Sequence, residues 1–485
     1  MREEARTMVA TRSTTSRRCL TWWWISCCCR CRGGFSSSAA SSSRRSAAAC
    51  HVVTRMRGFD GPLPFYLETG YVEVDEQQGV QLFYYFVRSE RDPYEDPLLL
   101  WLSGGPGCSG ISGLAYEIGP LKFDARGQGE FPTLLYRPET WTKVSNIIFV
   151  DSPVGTGFSY AKSEEGLETG DTKQVKQLVI FLRKWLQDHP RFVMNPLYIA
   201  GDSYSGLIIP TLALEIDRSI ELGEKIFSGL KGYIAGNPLT GGQFDTDSQI
   251  PYFHAMGLVS DELYKNAREN CGGKYSAPLN AVCAEAVQAI NNCTRDINKQ
   301  YILDPACPDD DLLSPKTVAE TDGTSRLMLE SADFLLGSKC AEALYILSYA
   351  WGNDDTVQES LGIRKGTIGA WKRYSHALPY NYDIQSVVDY HSRLATKGYR
   401  ALIYSGDHDA VVPHVGTQAW IRYLNLTIVD DWRPWYVGGQ VAGFTRSYAS
   451  GLTFATVKGA GHVAPLYKTL ECQKMFITWI SGNPL

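Results

Sequence analysis

The hexapeptide Gly201-Asp202-Ser203-Tyr204-Ser205-Gly206 constrains this chain more than any other feature. It follows the strand-like run Leu197-Tyr198-Ile199-Ala200 and precedes Leu207-Ile208-Ile209-Pro210-Thr211-Leu212-Ala213-Leu214, which can continue as a helix. A serine on a sharp strand-to-helix turn has an exposed hydroxyl and needs small neighbours, because the turn excludes bulk beside it. Gly201 fits that requirement. Ser205 is small but stands where a second glycine is more usual. Serines between small residues are common in loops, so the hexapeptide takes its weight from what lies before and after it.

Two further blocks follow in order. Ser405-Gly406-Asp407-His408-Asp409-Ala410-Val411-Val412-Pro413 comes after the strand-like Ala401-Leu402-Ile403-Tyr404. Gly459-Ala460-Gly461-His462-Val463-Ala464-Pro465 comes after Thr453-Phe454-Ala455-Thr456-Val457. The order Ser, Asp, His is that of α/β-hydrolases and differs from the two other well-known serine triads. A serine hydroxyl is a poor nucleophile without a base in hydrogen-bond reach, and the base needs an orienting carboxylate. Ser203, His462 and Asp409 supply the three roles. The competing reading, a surface serine, a turn aspartate and a loop histidine, loses ground once all three contexts agree. Asp407 and His408 flank Asp409; three polar residues in one turn can form a metal site but more often cap the turn.

The fourth piece is Leu99-Leu100-Trp101-Leu102-Ser103-Gly104-Gly105-Pro106-Gly107-Cys108-Ser109-Gly110, an apolar strand running into a glycine turn. Glycines let backbone N–H groups approach a ligand closely. One oxyanion donor in this fold class comes from the loop after an early strand and the other from the residue after the nucleophile. Gly105 and Tyr204 are the candidates, each worth ~3 kcal/mol to a transition state. A phosphate-cradling loop would need a Lys-Ser/Thr pair, and none follows.

With these motifs in place, the chain resembles the plant serine carboxypeptidase-like family. Gly58-Phe59-Asp60-Gly61-Pro62-Leu63-Pro64-Phe65 and Asp151-Ser152-Pro153-Val154-Gly155-Thr156-Gly157-Phe158-Ser159-Tyr160 complete the matching set, which spans nearly everything from about His51 onward. The resemblance implies an α/β-hydrolase fold with a mainly parallel central sheet flanked by helices, a covalent acyl-serine intermediate, no cofactor and no metal. It also implies a substrate-binding group of Trp101, Ser103, Gly104, Glu117 and Asp202.

That group separates two branches. The family's peptidases hold a substrate's C-terminal carboxylate with an Asn in the glycine block and a Glu just before the nucleophile. Ser103 and Asp202 stand at those positions here, while Trp101 and Glu117 match. Serine lacks the amide donor, and aspartate draws the carboxyl back by one methylene, enough to lose most of a hydrogen bond. These variants, and the form Gly406-Asp407-His408-Asp409, resemble the acyltransferases, which move an acyl group from a 1-O-glucose ester to an alcohol or amine. The expected partners are thus a small-molecule acyl donor and acceptor, with a peptide substrate as the alternative. A catalytically dead binding protein is a third reading, against which the full set of triad and oxyanion residues argues.

The chain has 485 residues and a formal net charge of −5, with no basic stripe to suggest nucleic acid. No apolar run is long enough to cross a membrane. The cysteine group from Cys271 to Cys307 lacks the short pairs and nearby histidines of a zinc site. The resemblance implies disulfides Cys108–Cys340, Cys271–Cys283 and Cys293–Cys307, with Cys472 unpaired. Disulfides imply an oxidising compartment, the secretory pathway, vacuole or exterior. Asn292-Cys293-Thr294 and Asn425-Leu426-Thr427 are glycosylation sequons, in keeping with that route.

Residues 1–50 read as a targeting or disordered segment, Arg- and Ser-rich around Trp22-Trp23-Trp24. A secretory signal, a transit-like segment and a misplaced start are all compatible with it. Residues 51–485 read as one hydrolase domain. Residues 81–87 and 146–150 read as strands, and 171–186 as an amphipathic helix with Val175, Leu178, Val179, Leu182, Trp185 and Leu186 inward. Residues 241–350 interrupt the strand–helix alternation and read as a disulfide-bearing lid over the site. In some relatives a linker in this region is excised; the polar stretch after Cys307, from Pro308 to Ser325, is its counterpart.

Overall fold

The apolar runs become strands of one sheet. The computed structural model describes residues 50–124, 131–306 and 341–485, all within one compact unit. Expectations placed on residues 1–49, on Cys307 and Cys340, and on the stretch from Pro308 lie outside the described residues. Among those residues the main sheet has eleven strands: β1 His51–Val53, β2 Leu67–Asp75, β3 Val80–Val87, β4 Leu98–Leu102, β5 Asn146–Val150, β6 Leu197–Asp202, β7 Leu230–Gly236, β8 Arg400–Gly406, β9 Ile428–Val437, β10 Gln440–Tyr448 and β11 Leu452–Val457. Their order is β1-β2-β3-β5-β4-β6-β7-β8-β11-β10-β9. The six strands from β5 to β11 in that order run parallel. Both margins are antiparallel.

Every residue of β4 and β5 is buried, as expected of parallel strands covered on both faces. Alternate residues feed two cores: Leu99, Trp101, Ile147 and Phe149 on one side, Leu98, Leu100, Ile148 and Val150 on the other. The helix α1, Asp171–Asp188, covers the second side with Val175, Leu178, Leu182, Trp185 and Leu186 buried; Val179 is only partly so, and Phe181 takes a core position instead. Trp185 stacks on His189 and packs against Phe86, which makes it a core residue.

The site's position follows from one close approach. β4 and β6 pair in parallel, with Leu102 opposite Gly201. A Cβ on Gly201 would lie 2.1 Å from the Leu102 carbonyl oxygen. Only glycine lets β6 reach the end of the sheet beside β4 and then turn into α2, Ser205–Glu221.

Among the helices of the insertion expected between β7 and β8 are α3 Asp261–Cys271 and α4 Ala281–Cys293. Ser260 and Asn280 cap them by accepting the Leu263 and Cys283 amides. The Cys271–Cys283 disulfide joins them. Their small core, with Tyr252, Phe253 and Ile290, extends to Ala410 beside Asp409. Cys472 is free and buried, and Cys108 and Cys293 carry free thiols. The partners inferred for those last two are among the residues not described. No helix of the described residues is long and apolar enough to cross a membrane.

The close approach at Gly201 predicts that Gly201→Ala destabilises the protein by about 1–3 kcal/mol, the usual cost of overpacking. Thermal unfolding checks this; a midpoint equal to that of the parent would contradict it.

Candidate active site

β6 ends at Asp202, and Ser203 turns the chain into α2 with φ +54. Non-glycine residues avoid this left-handed region, so the surrounding bonds must hold it. The Ser203 amide donates to Gly236 O at 2.9 Å, and Ser203 O accepts the amides of Gly206 and Leu239, each at 2.9 Å. The hydroxyl points at the loop after β11. His462 Nε2 lies 2.7 Å from Ser203 Oγ, and His462 Nδ1 lies 2.8 Å from Asp409 Oδ2. The three candidate residues, spread over 260 positions of sequence, therefore meet in one chain of hydrogen bonds.

Asp409 is fully buried and its carboxyl is fixed at both oxygens. Oδ1 accepts the amides of Val411 and Val412 at 2.7 and 3.2 Å. Oδ2 also accepts Asn237 Nδ2 at 2.8 Å. Asn237 follows β7 and in turn accepts the Gly406 amide at 3.2 Å. Sequence reasoning missed Asn237. The available signal was an Asn-Pro pair at the end of an apolar strand, the same sheet edge that presents Ser203 and Asp409. Asp407 plays a different part: its Oδ1 accepts the Gly459 amide at 2.7 Å and pairs with His408 Nδ1 at 2.5 Å, tying two loops together.

The glycine loop lies against the nucleophile. A Cβ on Gly104 would come within 2.6 Å of Ser203 Cβ and 3.0 Å of the Tyr204 nitrogen. Gly105 takes φ +117, open to glycine alone. Among the described residues, the amides of Gly105 and Tyr204 have no acceptor. The Tyr204 hydroxyl donates to Asp171 Oδ1 at 2.7 Å, which pins the residue. The far end of the loop hangs on buried Asp151. Its Oδ1 accepts Ser109 Oγ at 2.6 Å and the Gly110 amide at 2.7 Å, and its Oδ2 accepts the Phe158 amide at 2.8 Å.

Ser203, His462, Gly104 and Gly105 open onto a cavity of about 200 Å³, whose floor carries Ser103, Glu117 and Asp202. Trp101 Nε1 donates to Glu117 Oε2 at 2.9 Å from behind the floor. Asp202 Oδ1 accepts the Gly104 amide at 3.2 Å. Ser103 Oγ is buried without a partner among the described residues. Burial, and then the Asp202 charge, holds the Glu117 carboxyl well above its ordinary range. Burial pushes Asp202 up to about 6, opposed by His462 and by the Gly104 amide. Arg373, which no motif announced, brings the compensating positive charge. Its guanidinium lies 3.8 Å over the Tyr345 ring and 3.4 Å from Ser112 Oγ, at the cavity wall.

Of the sequons, Asn425 is exposed with φ +51. Asn292 is exposed near the end of α4, with Thr294 buried and its hydroxyl bonded to Ile290 O at 3.0 Å. The arrangement as a whole offers a hydroxyl with a base behind it, and two amides free to meet a developing oxyanion. That is the equipment for acyl transfer through a serine ester.

Comparison with known proteins gives a consistent picture. A family model described as serine carboxypeptidase matches residues 58–482. Serine carboxypeptidase-like 7 of Arabidopsis thaliana is 48% identical over 437 residues, covering 90% of this chain and 94% of that protein. Serine carboxypeptidase-like 19 of the same plant is 46% identical over 443 residues, covering 90% and 95%. Among solved structures, the prohormone-processing carboxypeptidase Kex1 from Saccharomyces cerevisiae aligns with a TM-score of 0.68 at 19% identity, over 86% of this chain and 92% of its own. The fold is the α/β-hydrolase fold that the motifs imply.

The buried carboxyls predict a pH dependence of stability. Burial pushes Asp151 and Asp202 up to about 6, and Asp245, which accepts the Thr240 and Gly241 amides at the start of the insertion, up to about 7. Between about pH 4 and 7 the folded protein keeps protons that the unfolded chain has released. Their stabilisation is full below about pH 4 and is lost as pH rises through 6 to 7. Thermal unfolding is expected to have a higher midpoint at pH 5 than at pH 7.5, with the gap reduced in Asp245→Asn. Equal midpoints at the two pH values would contradict the burial account.

Proposed function

Because the chain belongs to the serine carboxypeptidase family, we propose that it is an acyltransferase of that family. It takes an acyl group from a 1-O-glucose ester onto Ser203 and passes it to an alcohol or amine acceptor. The observation that carries this reading is the cavity floor. A carboxypeptidase needs a group there to grip a free carboxylate. Ser103 offers a hydroxyl where an amide would be needed, and the Asp202 carboxyl is drawn back onto the Gly104 amide.

In this mechanism Ser203 Oγ attacks the ester carbonyl carbon as His462 Nε2 takes its proton. Asp409 holds the imidazole by Nδ1. The oxyanion forms against the Gly105 and Tyr204 amides. The bond to the glucose oxygen breaks, and His462 returns the proton to the departing sugar hydroxyl. The acceptor then attacks acyl-Ser203 as His462 takes its proton; the new ester or amide leaves and Ser203 is reprotonated. Water competes for the acyl group at this stage, so transfer depends on a positioned acceptor and a shielded cavity.

Carboxypeptidase activity is the second reading. The bond between Trp101 and Glu117, two members of the peptidase carboxylate group, favours it. The first half-reaction is then the same, with an amino acid leaving. A location in the secretory pathway, vacuole or exterior is supported by the Cys271–Cys283 bridge.

The test uses the full chain from a secretory host. It is given hydroxycinnamoyl- and benzoyl-glucose esters with pooled alcohol and amine acceptors, and separately N-blocked dipeptides. Glucose release with a new ester or amide is expected, falling on the order of 10³-fold or more in Ser203→Ala. Efficient release of C-terminal amino acids without transfer would make the chain a peptidase.

A further inference from the structure

We propose that Asn298, through the backbone strap of residues 299–302, positions His462 and Asp409; the inference rests on the serine-acylation reading above. The strap belongs to the insertion, just beyond α4, yet its bonds run to the two loops that carry the base and its acid. The Ala410 amide donates to Lys299 O at 2.8 Å, and the Ile302 amide donates to His408 O at 3.2 Å. Both neighbours of Asp409 are thereby fixed. The His462 amide donates to Gln300 O at 2.6 Å. The Tyr301 hydroxyl donates to Gly459 O at 3.2 Å, and its ring packs 4.3 Å from Tyr467. Four consecutive residues of the insertion thus clamp the acid loop to the base loop.

The His462 loop needs such a clamp. It contains Gly459 and Gly461, the residues least able to hold a backbone conformation unaided. Gly461 is also where the strap presses in: a Cβ there would lie 2.4 Å from Gln300 O and 2.7 Å from Tyr301 Cβ. A misplacement of about 1 Å in a reacting group can cost on the order of 10²-fold in rate.

Asn298 shapes the strap. Its buried side chain accepts the amides of Gln300 and Tyr301 at Oδ1, at 3.0 and 3.2 Å, and donates from Nδ2 to Pro305 O at 3.2 Å. With those amides turned onto Asn298, the carbonyls of Lys299 and Gln300 meet Ala410 and His462. Asn298 touches neither the cavity nor the reacting atoms, so it is a positioning residue. Gln300, in contrast, lines the cavity beside His462 and Val463. An acceptor that contacts Gln300 therefore contacts the element that orients the base.

The test is the second-order rate at which a fluorophosphonate modifies Ser203, followed by mass spectrometry and expressed per folded molecule, together with the thermal midpoint. Asn298→Ala is expected to slow labelling about 10-fold or more. Asn298→Asp, which keeps an acceptor for both amides, should stay within about 3-fold of the parent. Gly461→Ala, which pushes on the strap from the other side, should also slow labelling, and it decides the matter if Asn298→Ala does not fold. A purely structural role would lower the thermal midpoint and leave the rate per folded molecule unchanged; that result in Asn298→Ala, or in Gly461→Ala alone where the first does not fold, overturns the proposal. Labelling of the parent no faster than Ser203→Ala would instead overturn the acylation reading, and this inference with it.

Discussion

The left-handed backbone of Ser203 is the constraint from which the rest follows. A residue with a side chain reaches φ +54 only when its surroundings hold it there. Here three backbone bonds do so, to Gly236, Gly206 and Leu239, with Gly104 pressed against the serine from the other side. The turn aims the hydroxyl at His462 and starts α2. Among the described residues it also leaves the Tyr204 amide without an acceptor, beside the similarly open Gly105. One local distortion therefore sets the nucleophile, the oxyanion position and the mouth of the cavity together.

Around that turn, the buried carboxyls differ in what they are bonded to. Asp409 accepts from Asn237, His462, Val411 and Val412, which fixes its direction toward the imidazole. Asp202 accepts the Gly104 amide and Glu117 the Trp101 indole N–H, and burial raises both carboxyls above their ordinary range. The first arrangement orients a base. The second lines the cavity floor with two buried carboxyls beside the Ser103 hydroxyl.

What could be read from the sequence was what local context announces. Ser203, Asp409 and His462 each follow an apolar strand and sit among glycines or small residues, so the ends of β6, β8 and β11 were recognisable one at a time. The choice of Asp409 over Asp407 needed the family resemblance; the structure separates them by direction, since Asp407 bonds to the Gly459 amide and Asp409 to the imidazole. Asn237 and Asp409 are 172 residues apart, and nothing near either one names the other. Arg373 and Asn298 were silent for the same reason, because their partners come from elsewhere in the chain. From the insertion, Gln300 and Tyr345 line the cavity wall. Its backbone bonds to the triad loops carry no side-chain signature, which is why no motif could reveal them.

The central claim is that Ser203 accepts an acyl group from a glucose ester. It is tested most directly by mixing the protein with a hydroxycinnamoyl-glucose ester in the absence of acceptor, quenching within the first turnover, and measuring the mass of the peptide that contains Ser203. The account predicts an added hydroxycinnamoyl group on that serine and one glucose released per adduct. Glucose ester left intact, with Ser203 unmodified in a protein that a fluorophosphonate still labels, would contradict it.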